Sequence, residues 1–128
     1  MSQDNVKIIK DAHDAFNRGD IPAVLATLDP AIVWEVPKEL PYGGIFHGVS
    51  EVGGFFQSLR PYFQEFRVES EHQYTVGDQV VDLGHFRGKG KHGQKLEAAN
   101  AFIWAVRNGK VVSFHEVSDT AALLEAIK

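Results

Sequence analysis

The sequence predicts an α+β domain, and three features predict it: apolar residues at helical spacing through the first half, period-two alternation through the second, and turn dipeptides that cut the second half into hairpins. Helices followed by a curved four-stranded meander can bury one face of the sheet under the helices. At 128 residues the chain has room for one domain, residues 1–128.

Val6, Ile9, His13 and Phe16 recur at steps of three and four, one face of an amphipathic helix that Gly19 ends. Asp20 can cap a second helix with Pro22 in its first turn and Ile21, Val24, Leu25 and Leu28 inward, stopped by Asp29-Pro30. "AIVWEV", residues 31–36, reads as a short strand, and residues 37–48 as a loop with two prolines and two adjacent glycines. A third helix starts near Ser50, because Val52, Phe55, Phe56, Leu59 and Phe63 keep helical spacing. From Phe66 onward strands alternate with turns at Gly77-Asp78, residues 88–93 and Asn108-Gly109. Asp119 is placed to cap a final helix over "TAALLEAI".

Composition narrows the function. With 44% hydrophobic and 23% charged residues the chain can build and coat a core. A net charge of −4 leaves no basic stripe for phosphates, so neither nucleic acid nor an acidic membrane surface is an expected partner. No apolar run approaches the roughly 20 residues of a membrane span. The opening "MSQDNVKIIK" lacks the apolar segment of a secretory signal, and a cytoplasmic location is expected. Without cysteine there are no disulfides, thiolate nucleophiles or cysteine-rich zinc sites. The six histidines show neither helical zinc spacing nor a His-x-His strand pair, so no metal or cofactor is expected.

Alternation sorts the remaining polar residues. Asn100 shares a strand face with Phe102 and Trp104, opposite Ala99, Ala101 and Ala105. His85 shares an apolar row with Val81 and Leu83, opposite Asp82, Gly84 and Phe86. Glu35 sides with Val33, and Trp34 opposes it. On residues 110–118 both rows mix polar with apolar, so alternation alone does not orient that strand. Amide and titratable groups among aromatics suit a small-molecule pocket, and a carboxylate buried there, Glu35 or Glu116, would have a raised pKa.

"AFNRGDIPAVLATLDPAIVWEVP", "PYGGIFHG" and "FIWAVRNGKVVSFHEVSDTAALLEA" together resemble the SnoaL-like branch of the nuclear transport factor two-like superfamily, which includes ketosteroid isomerases and polyketide cyclases. The resemblance implies a cone-shaped barrel with one deep pocket, dimerised through the outer sheet face. Ungapped comparison puts Glu35 at the isomerases' proton-shuttling aspartate, but Ala12 and Phe102 where they carry their oxyanion donors. It also turns Phe114, Glu116 and Ser118 inward. The expected catalytic set is therefore Glu35 as base with His85 and Asn100 as polarising donors. His13, Tyr42, Phe55, Phe56, Phe102, Trp104, Phe114 and Glu116 are the expected ligand contacts. The implied activity is a cofactor-free isomerase, cyclase or dehydratase step on a small hydrophobic carbonyl or cyclic compound, in a homodimer. A noncatalytic ligand-binding or protein-interaction domain of the same fold is the alternative.

Overall fold

The computed structural model describes residues 2–128. Its elements are α1 (Ser2–Asn17), α2 (Ile21–Leu25), β1 (Leu28–Val36), β2 (Gly44–His47), α3 (Gly48–Leu59) with a 3-10 turn (Arg60–Tyr62), β3 (Phe63–Val76), β4 (Gln79–Gly90), β5 (Lys95–Arg107), β6 (Lys110–Ser118) and α4 (Thr120–Ala126). Two helices open the chain, α3 stands between β2 and β3, and the strands form one curved six-stranded sheet of order β2-β1-β6-β5-β4-β3. This is the expected α+β architecture. The pairing is mixed rather than wholly antiparallel, because β1 runs parallel to β6.

Local chemistry sets most boundaries. The Asp20 carboxylate accepts the Ala23 amide at 3.1 Å and caps α2, as its position before Pro22 predicts. Asp119 accepts the Ala122 amide at 3.1 Å and does the same for α4. Asn108 (φ 51°) and Gly109 (φ 76°) take the left-handed conformation that a tight hairpin turn requires.

Three expectations need correction. Leu28 does not extend α2 and Asp29-Pro30 does not end it; α2 is five residues long and β1 runs through Pro30. Proline is tolerated there because the β1–β6 register is irregular between Leu28 and Val33, so no regular ladder bond is lost. The loop at 37–48 contains β2, four residues pairing with β1, too short to show a period. Phe63 belongs not to the third helix but to β3, where its ring lies 4.6 Å from Phe66.

The sheet curls where β3 gains a residue. Ser70 pairs with Gly84 and His72 with Leu83, so Glu71 is the extra residue of a bulge. Gly84 is required opposite it: a Cβ there would stand 1.9 Å from the Glu69 carbonyl oxygen. Curvature gathers alternate side chains into transverse rows on the concave face. Val80, Trp104, Phe114 and Trp34 form one row across β4, β5, β6 and β1, with Trp34 stacked on Phe114 at 3.9 Å between ring centroids. Asp82, Phe102 and Glu116 form the next, and Gly84, Asn100 and Ser118 the third. Ile9 and Ala12 of α1 and Val52, Phe55, Phe56 and Leu59 of α3 close over these rows. No described helix is long and apolar enough to cross a membrane.

Candidate functional site

The second row carries the polar chemistry of the interior. Asp82 is only 2% exposed, and a buried carboxylate needs partners. It has two: His13 Nε2, from α1, at 2.5 Å from Oδ2, and the Ser70 hydroxyl, delivered by the β3 bulge, at 2.5 Å from Oδ1. Burial is the largest influence on Asp82 and pushes its pKa up. The bonds and charge of His13, then Ser70 and the nearby Trp104 indole, outweigh burial and leave the carboxyl below its ordinary value. Trp104 acts from outside good hydrogen-bond geometry, since its Nε1 has no partner.

An ionised Asp82 fixes the histidine tautomer. In the neutral imidazole Nε2 carries the proton and donates it to Asp82, which leaves Nδ1 with a free lone pair. The imidazole is buried and packed against Phe102 and Trp104, at 5.9 and 5.7 Å between centroids.

Glu116 stands on the far side of Phe102 in the same row. Two inter-strand steps of about 4.8 Å separate its backbone from that of Asp82, roughly 10 Å in all. Its side chain is inward and buried, with the Ser118 hydroxyl donating to Oε2 at 2.8 Å. Burial pushes its pKa up to about 7, with Ser118 acting the other way. Burial, and then the charge of Glu116, push the Tyr42 phenol up as well, so Tyr42 stays a hydrogen-bond donor.

Between these stations lies a cavity of about 50 Å³. Aromatic rings make most of its wall. His13, Tyr42, Phe55, Phe56, Phe102, Trp104, Phe114 and Glu116, the eight residues expected to contact a ligand, all line it. The three residues expected to do catalysis do not. Glu35 points to the outer face, 43% exposed and 3.4 Å from His115 Nε2, because Trp34 takes the inward position on β1. His85 is also outward, paired with Glu71 at 2.5 Å; the inward row of β4 is Asp82, Gly84 and Phe86. Asn100 is inward and buried, one row beyond the cavity wall, and its Nδ2 has no hydrogen-bond partner. Asp82 and Ser70 went unrecognised in the sequence. One signal was available: His13 on the apolar stripe of a helix needs a buried partner, and Asp82 is the acidic residue of its strand.

A helix-first α+β chain with a curved sheet and an aromatic cavity at its centre is the architecture of the nuclear transport factor 2-like proteins. Within that class, a SnoaL-like domain model matches residues 9–114, and the chain belongs to the SnoaL-like family. It is similar to an NTF2-like protein of unknown function from Burkholderia pseudomallei, at 30% identity over 98% of both chains with a TM-score of 0.93. It also resembles TerC, solved after co-crystallisation with polyporic acid, at 22% identity over 97% of this chain and 98% of that one (TM-score 0.89). A Jannaschia protein designated a SnoaL-like polyketide cyclase shares 18% identity over 98% of this chain and 92% of its own (TM-score 0.84). No curated protein matches.

Proposed function

We propose that the protein holds a small hydrophobic carbonyl compound in this cavity and moves a proton on it without a cofactor. His13 serves as base, with Glu116 and Tyr42 as donors to the developing oxygen charge. The observation that carries the reading is buried His13, bonded to Asp82 behind it, at the wall of a largely aromatic cavity. His13 Nδ1 can take a proton from the carbon beside the carbonyl, and the imidazolium formed is stabilised by the adjacent Asp82 carboxylate. Glu116, with a pKa of about 7, keeps a large protonated fraction at neutral pH and can donate to an enolate oxygen across Phe102. The same proton returned to a different carbon gives an isomer; loss of a neighbouring hydroxyl gives a dehydration.

The likeness to a protein co-crystallised with polyporic acid supports an interior that admits organic ligands. A cavity of about 50 Å³ favours small substrates, or larger ones that push the rings aside.

The test needs no knowledge of the natural product. Small cyclic ketones incubated with the protein in D2O should exchange their α-protons, read by NMR, and His13→Gln should abolish the enzymatic part of that exchange. Glu35→Gln should leave it intact. Exchange that survives His13→Gln at the wild-type rate would overturn the reading. Trp34 Nε1 and Trp104 Nε1, buried donors without acceptors on two residues that line the cavity, favour a second reading, in which the interior only binds an oxygen-bearing ligand. Ligand binding without any exchange would select it.

A further inference from the structure

A second space lies on the other side of the cavity wall. α1 and α2 on one flank, and α3 with the start of β3 on the other, bound an open groove of about 1100 Å³. Phe16, Phe56, Leu59 and Phe66 line both the groove and the inner cavity. Ile21, Leu25, Val49 and Phe63, each half-buried, extend the apolar surface outward, and Ser50, Gln57 and Gln64 add polar side chains to the lining. Arg60 is the one charged residue in the lining, and it joins no ion pair among the described residues.

Two glycines keep this groove open. Gly53 and Gly54 sit inside α3 with ordinary helical backbone, where glycine weakens a helix relative to alanine. Packing does not require either. A Cβ on Gly53 would meet only Leu25 Cδ1, at 3.5 Å, an ordinary contact. A Cβ on Gly54 would meet nothing within 4 Å. Both positions line the groove, so the helix gives up stability where a side chain would occupy the space.

We propose that this groove is a binding site for an elongated apolar molecule ending in a carboxylate. Its chain lies over Gly53 and Gly54 between the α2 side chains and Phe63, and its carboxylate pairs with Arg60. The apolar side chains of the lining select the body of the ligand, and Arg60, its one charged group, selects the sign of the head. The site is distinct from the proton-transfer cavity and stands or falls without it.

Decanoate is the probe and decanol the neutral control, with binding followed by calorimetry. The wild-type protein should bind decanoate more tightly than decanol. Gly54→Phe fills the groove and should weaken both by about tenfold or more. Gly54→Ala should fold and be no less stable than wild type. Arg60→Gln should cost decanoate about threefold and leave decanol unchanged, as expected for an exposed ion pair. Ketone α-proton exchange reads the inner cavity separately, and His13→Gln should leave decanoate binding intact. Absence of decanoate binding, or binding indifferent to Gly54→Phe, would overturn the site. Equal affinity for decanoate and decanol would overturn its anionic head, and a change of oligomeric state in Gly54→Phe would assign the groove to a second copy of the chain instead.

Discussion

His13 and Asp82, 69 positions apart in sequence, meet through a 2.5 Å contact between Nε2 and Oδ2, and both are buried. The contact ties α1 to the middle of the sheet. It serves stability and proposed chemistry at once, so the two have to be separated by experiment.

Removing one partner leaves the other stranded. Asp82→Ala should cost about 3–5 kcal/mol, the range for breaking a buried charged pair, and Ser70→Ala about 1 kcal/mol. Urea unfolding measures both. Because the folded state holds the Asp82 pKa below 3.8, its contribution is present above that pH and is lost as the pH falls further. Acid unfolding of wild type below pH 3.8 should therefore be steeper than that of Asp82→Asn.

Glu116 has the opposite sign. Between pH 4.5 and about 7 the unfolded chain releases this proton while the folded protein retains it, so stability falls as pH rises through that window. The loss should approach about 3 kcal/mol above pH 7, since every tenfold difference in proton affinity between the folded and unfolded chain is worth about 1.4 kcal/mol. Denaturation midpoints from pH 5 to 8 should decline in wild type and stay flatter in Glu116→Gln. Parallel declines would show that Glu116 is not the group responsible.

Asn100 carries an amide nitrogen with nothing to bond. Replacing it by leucine keeps the size and deletes the unmet donor, so Asn100→Leu should be neutral or more stable by about 1 kcal/mol. A loss of several kcal/mol in thermal unfolding would mean that the amide is satisfied in solution.

On the convex face Leu83, Ala101 and Val117 lie in one transverse row, with Leu83 and Val117 36% and 52% exposed. A small residue between exposed apolar ones suits a flat contact, and we expect the face to pair with a second copy. Sedimentation should give twice the chain mass for wild type and the single-chain mass for Ala101→Arg. A monomeric wild type refutes the pairing.

Much of this architecture is legible in the residues. Asn100, Phe102 and Trp104 share one face because period-two alternation leaves them no other arrangement, and Asp20, Asp119 and Asn108-Gly109 act through their nearest neighbours. What escapes is what depends on distant chain. Val81, Leu83 and His85 form the more apolar row of β4, yet they face out. The inward row contains Asp82, tolerable there only because α1 brings His13 to it. The outward place of Glu35 follows from Trp34, whose ring needs Phe114 to stack on. Alternation gives two faces and no sign; the sign comes from partners on other elements.

The parallel seam between β1 and β6 bears on how the protein is made. Leu28 pairs with Val111 and Trp34 with Phe114, so the seam joins early chain to late chain. A nascent polypeptide leaving the ribosome presents both helices and β1 well before their closing strand has been synthesised. Trp34, Phe55 and Phe56 then have no complete sheet to settle into, and β1 cannot join β6 until residues 111–115 emerge. Folding of this chain during translation is therefore deferred to its final stage, and the interval before it is when chaperones would have aromatic surface to hold.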